Sequence, residues 1–89
     1  MATMRFWNIN DDALLAALQA AGFGAGVTFA AGPEGGVAVN QNNIFIGLWV
    51  EFQRERFRFI PAGALQPNTQ AFRIEEAVWV TKQILADRV

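Results

Sequence analysis

The sequence predicts an α+β fold, an antiparallel sheet of three to four strands with an N-terminal and a C-terminal helix on one face, in the order α-β-β-β-α. Three observations predict it. Apolar residues recur at helical spacing near both ends of the chain. Between them lie apolar runs separated by clusters of Gly, Pro and Asn, which is hairpin chemistry. One of those runs, Ile44 to Val50, reads Ile-Phe-Ile-Gly-Leu-Trp-Val and contains no polar side chain. Alternate residues of a strand point to opposite faces, so this strand is apolar on both sides. Its own helices cover one face of so small a sheet, and the other face is expected to meet something else.

Met4 to Ile9 alternates loosely and reads as a short strand or an arm lying over the sheet. Asn10 is an N-cap residue type, and Asp11 and Asp12 follow in a first turn, where negative charge suits the helix dipole. Ala13 to Ala21 supplies strong helix formers, with Leu14, Leu15 and Leu18 on one side and Gly22 as the stop. Such a short helix needs tertiary packing to persist. Val27 to Ala31 and Val37 to Val39 flank the turn sequence Gly32-Pro33-Glu34-Gly35-Gly36 and form a hairpin. Asn40 to Asn43 interrupts, and a long strand runs from Ile44 to Phe52. Arg56 to Ile60 is the next strand, ended by Pro61-Ala62-Gly63, and Pro67-Asn68 marks a loop.

Register follows from matching the two faces. A two- or four-residue loop centred on Arg54 and Glu55 sets Phe52 opposite Phe57, Glu51 opposite Arg58, Val50 opposite Phe59 and Trp49 opposite Ile60, and four is favoured because Arg-Glu does not suit a tight primed turn. Apolar then meets apolar, and opposite charges meet. This register assigns Ile44, Ile46, Leu48, Val50, Phe52, Phe57 and Phe59 to the core under the helices. It assigns Phe45, Gly47, Trp49, Glu51, Arg56, Arg58 and Ile60 to the second face. The last helix begins near Ile74, with Glu75 and Glu76 in its first turn and Arg88 in its last. Ile74, Ala77, Val78, Thr81, Ile84 and Leu85 share one side, and Trp79 falls on the other with Glu75 and Gln83.

Composition points to a binding protein. The 89 residues predict one domain spanning 1–89. Apolar residues make up 53% and charged residues only 17%, against a usual charged share of about 25%. Too few charges remain to coat a small sphere, which favours a homo-oligomer or a hetero-complex. The net charge of −1 opposes electrostatic steering toward nucleic acid. With no cysteine, neither disulfides nor thiolate metal sites can form. Met1 to Asn10 lacks a basic start followed by an apolar core, and no apolar stretch reaches the roughly 20 residues that span a bilayer. A cytoplasmic location with no membrane partner is the expectation.

No catalytic, cofactor or metal site is expected. His, Cys, Ser and Tyr are all missing, and the threonines Thr3, Thr28, Thr69 and Thr81 have no base beside them in sequence. Adjacent carboxylates at Asp11-Asp12 and Glu75-Glu76 point about 100° apart on a helix and do not converge. Gly22, Gly24 and Gly26 have a phosphate-loop spacing, but a helix precedes them and a strand follows, the reverse of what such a loop needs. The expected interface is therefore Phe45, Trp49, Arg56, Arg58 and Ile60 on the second face, with a secondary interface at Trp79. Aromatics beside arginines are the composition of binding hot spots. The competing expectation is that the N-terminal segment, with Phe6 and Trp7, folds over that face.

Three functional readings follow. The first is a non-catalytic interaction module that binds itself or a larger protein. The second is a small inhibitor or accessory factor of nucleic-acid-processing machinery, of the size seen among anti-CRISPR proteins. The third is direct RNA or DNA binding through Arg54, Arg56 and Arg58, with Arg73 nearby. Glu51 and Glu55 dilute that cluster. The helix–strands–helix order is shared with double-stranded-RNA-binding domains, yet Glu75 and Glu76 stand where those domains carry lysines.

Overall fold

The computed structural model describes residues 9–33 and 35–87. The elements run α1 (Ile9–Ala20), β1 (Val27–Ala31), β2 (Val37–Gln41), β3 (Ile44–Gln53), β4 (Arg56–Pro61), β5 (Thr69–Ala71) and α2 (Ile74–Ala86). The five strands form an antiparallel meander in the order β1-β2-β3-β4-β5. The α+β class and the flanking helices are as the sequence predicts. The strand count is five rather than three to four, because β5 pairs Ala71 with Phe57 and Thr69 with Phe59. The expected strand or arm over Met4 to Ile9, the covering role of Phe6 and Trp7, and Arg88 at the last turn involve residues outside the described ones, apart from Ile9, which opens α1.

Asn10 lies inside α1 rather than capping it, and its side-chain amide donates to Glu51 Oε2 at 2.6 Å. Asp11, Leu14 and Leu18 form the buried stripe of the helix, at the spacing of one helix face. Asp11 thus does more than complement the dipole, because its Oδ2 accepts the Gly36 backbone N–H at 3.3 Å and ties α1 to the start of β2. At the other end of the chain, Ala77, Thr81 and Leu85 are the buried side of α2, flanked by partly buried Ile74, Val78, Val80 and Ile84. The helix start is closed by Glu76 Oε1, which accepts the Phe72 N–H at 2.7 Å.

Two irregularities in β3 decide which side chains reach the core. The turn after β3 sits where the sequence places it, with Gln53 opposite Arg56, but it is a two-residue connection. Glu55 adopts a left-handed backbone at φ 59°, and its N–H is held at 2.6 Å by Glu51 Oε2. Phe52 is then bulged out of the ladder, and every pair beyond it shifts by one residue: Glu51 faces Phe57, Val50 faces Arg58, Trp49 faces Phe59 and Leu48 faces Ile60. A slip of one residue sends a strand's whole side-chain set to the opposite face. The expected pairs Phe52–Phe57, Val50–Phe59, Glu51–Arg58 and Trp49–Ile60 are therefore not formed. A second bulge between Val39 and Asn40 leaves Val39 opposite Gly47 and Asn40 opposite Phe45.

The face assignment of β3 is corrected accordingly. Trp49 is fully buried beneath the helices and is a core residue, not an exposed interface residue. Leu48, Val50 and Phe52 leave the core face, and Ile44 is 58% exposed at the start of the strand. Ile46, Phe57 and Phe59 remain buried as expected. The core cluster joins Leu14 and Leu18 of α1, Phe29, Val37 and Val39, Trp49, Phe57 and Phe59, and Ala77 and Leu85 of α2. Both helices thus pack on the same face of the sheet. Trp49 is the keystone of this packing. Its indole Nε1–H donates to Thr81 Oγ1 at 2.9 Å, and that hydroxyl donates to the Ala77 carbonyl at 2.7 Å. The Trp49 and Phe59 rings lie 5.2 Å apart at 58°. Gly47 is glycine for steric reasons, since a Cβ there would overlap the Phe59 ring.

Candidate interaction surface

The face opposite the helices is built by the same cross-strand pairs. Ala30 pairs with Ala38, Ala38 with Leu48, and Leu48 with Ile60, so one row of apolar side chains crosses four strands. A parallel row runs Val50, Arg58 and Gln70. Phe45, opposite Asn40, is 46% exposed at the far end of the same face. The run Ile44 to Val50 is therefore apolar on both faces, as its sequence predicts, with Trp49 exchanged for Leu48 and Val50, while Ile46 and Phe45 keep their expected sides.

The arginines of β4 belong to this face and lie on aromatic rings. The Arg58 guanidinium sits 4.0 Å above the ring of bulged Phe52, and Arg56 sits 5.3 Å from the Phe72 ring. Arg56 Nη1 also donates to Gln53 Oε1 at 3.1 Å. Such cation–π stacking fixes the planes of long, otherwise mobile side chains. Arg58 lines an open cavity of about 520 Å³ with Pro67, Asn68, Thr69, Gln70 and Phe72. Its Nε–H is buried without a hydrogen-bond partner among the described residues. No carboxylate lines that cavity.

Of the residues expected at the interface, Phe45, Arg58 and Ile60 share the second face, and Arg56 is exposed at its β4 end. Trp49 is absent from it. The sequence expectation left Leu48, Val50 and Phe52 off this face, and no residue type at the turn signals them, since Glu55 takes its left-handed backbone without being Gly, Asn or Asp. Trp79 is 61% exposed on the outer side of α2, away from the sheet. Arg73 lines a separate cavity of about 440 Å³ with Asn10, Ala13, Glu55, Ile74 and Glu75, so it does not extend the arginine pair.

The remaining candidate motifs resolve locally. Gly22, Gly24 and Gly26 all have positive φ in the α1–β1 connection, and Gly26 accepts the Asn42 N–H at 2.7 Å while its missing Cβ leaves room for the Asn42 side chain. Among the described residues no group of three or more His, Cys, Asp or Glu is placed to hold a metal ion, and no helix is long and apolar enough to cross a membrane. Comparison with protein-family models, with curated proteins and with solved structures gives no match.

Proposed function

We propose that this chain is a non-catalytic protein–protein interaction module of the cytoplasm that docks on itself or on a larger protein through the sheet face opposite its helices. One observation carries the reading. The apolar row Ala30, Ala38, Leu48 and Ile60 runs across four strands and is bordered by Phe45, Val50 and the stacked pair Phe52–Arg58. Apolar contact area ringed by aromatic-braced arginine is the make-up of an interface centre and its rim. The low charged fraction of 17% points the same way. The arginines are two stacked side chains rather than a convergent basic patch, which ranks a protein ligand above nucleic acid.

The test is affinity capture from the source cell with the wild type and two folded variants. Ile60→Lys places a charge in the apolar row, and Gln83→Lys places the same charge on the exposed side of α2. A specific partner should be retained by the wild type and by Gln83→Lys and lost by Ile60→Lys. Retention of the same partner by all three proteins would refute the assignment of the surface.

A further inference from the structure

We propose that β1 is a self-pairing edge and that two copies of this chain join antiparallel through it, about a two-fold axis at Phe29. The pairing runs through the backbone of β1 rather than the second sheet face and is independent of the function proposed above.

In an antiparallel ladder, opposed residues alternate between pairs that exchange both hydrogen bonds and pairs that exchange none. The β1–β2 hairpin is bonded at both ends: Asn42 N–H donates to Gly26 at 2.7 Å, and Gly32 N–H donates to Gly36 at 2.9 Å. Counting inward by twos, the bonded pairs are Thr28–Asn40 and Ala30–Ala38. Val27, Phe29 and Ala31 are the non-bonded positions, so their N–H and C=O groups point away from β2. The Phe29 carbonyl confirms this, because the only side chain shown to reach it is Gln19 of α1, at 3.5 Å. No described strand takes up these groups, since β1 ends the sheet.

Natural sheets protect such an edge with Lys, Pro, a bulge or brevity. None of the first three is present in β1. Its sequence is Val-Thr-Phe-Ala-Ala, and its pairing with β2 is regular throughout. By contrast, the opposite edge, β5, has only three residues and follows a proline-containing loop. The outward groups of β1 are self-complementary. Phe29 pairs with Phe29 of a second copy, and Val27 with Ala31 in each direction, and every one of these pairs exchanges both of its bonds. Side-chain placement agrees with this. Gln19 marks the flank of α1 that overhangs the edge, and one turn earlier on that flank lie Leu15 and exposed Ala16. These are an apolar and a small side chain where the second α1 would approach. Pairing also makes the second faces of the two sheets continuous, with Ala30 of each copy adjacent to Thr28 of the other. Among the described residues, the contact given up is the long Gln19 bond.

The experiment is amide hydrogen exchange by NMR at two protein concentrations, with the mass measured by light scattering in parallel. At about 500 μM the mass should be twice 9.8 kDa, and dilution to low micromolar should return the monomer. The amides of Val27, Phe29 and Ala31 should be protected at high concentration and exchange at least tenfold faster after dilution. Thr28 and Ala30, bonded to β2, should be protected in both. Ala31→Pro deletes one outward donor and leaves the β1–β2 bonds intact, so it should give a folded monomer at both concentrations. Should that variant misfold, Leu15→Lys provides the same test from α1. A monomer at 500 μM overturns the proposal. So does a dimer whose Val27, Phe29 and Ala31 amides exchange fast, or protection of those amides that does not change with concentration.

Discussion

Replacing Thr81 by valine changes one hydroxyl for one methyl in a fully buried position, so almost all of its effect should come from Trp49. The wild-type hydroxyl sits in a chain, accepting the indole N–H at 2.9 Å and donating to the Ala77 carbonyl at 2.7 Å. Ala77 retains its intrahelical partner as a carbonyl acceptor, so the loss falls on the indole N–H, which is left buried with no acceptor. An orphaned buried donor costs about 1–3 kcal/mol. A domain of 89 residues is stable by on the order of 5–10 kcal/mol, so this is a visible fraction. In thermal terms it is a fall of about 4–8 °C in Tm for each kcal/mol. Urea unfolding followed by tryptophan fluorescence should show a lower midpoint with an unchanged m-value. The cycle is completed in the Trp49→Phe background, which has no indole N–H to orphan. There the Thr81→Val step should cost less than about 0.5 kcal/mol, since the interaction it removes is already gone. Equal cost of Thr81→Val in both backgrounds would refute the claim that Trp49 is fastened to α2, and with it the face assignment of β3.

Three further substitutions test other parts of the fold. Gly47→Ala should destabilise by about 1–3 kcal/mol, because the new methyl overlaps the Phe59 ring and forces overpacking; a neutral effect in urea unfolding would count against that contact. Glu51→Ala removes the acceptor shared by Asn10 and the Glu55 N–H, and should cost about 1–2 kcal/mol while weakening amide protection at Glu55; unchanged protection would mean the turn does not depend on it. Asn43→Gly should instead leave stability unchanged or raise it slightly, because Asn42 and Asn43 both have positive φ, as a two-residue hairpin turn requires, and the strain glycine relieves offsets its larger entropy loss; a clear loss of stability in urea unfolding would contradict the turn type.

How far the sequence was legible depended on the range of the interaction. The helices were readable because their signals are local: Leu14 and Leu18, and then Ala77, Thr81 and Leu85, repeat at the helical period and are the residues that the structure buries. The centre of the β3–β4 turn was readable too, with Gln53 opposite Arg56. The bulge at Phe52 was not. It depends on Glu51 reaching forward to the Glu55 N–H and sideways to Asn10 of α1, a contact across 41 residues of sequence. Because β3 is apolar on both faces, hydrophobic pattern alone could not reject the wrong register. Leu48 and Val50 suit a core as well as Trp49 does. Only the hydroxyl of Thr81 breaks the tie, by giving the indole N–H an acceptor on the helix side. In the same way β5 was hidden, since three residues after Pro67-Asn68 carry no alternation and are ordered by pairing with Phe57 and Phe59.

The claim that the second sheet face is the docking surface is tested most directly by a methyl NMR spectrum of the labelled protein, recorded alone and with unlabelled extract of the source cell. Leu48, Val50 and Ile60 report the proposed surface, Leu14, Leu18 and Leu85 report the core, and Leu65, 95% exposed in the β4–β5 loop, reports non-specific contact. Broadening or shifts should concentrate at Leu48, Val50 and Ile60 and be reversed by the Ile60→Lys substitution at the two remaining sites. Changes confined to Leu65, or none at Leu48 and Val50 while a partner is demonstrably bound, would contradict it.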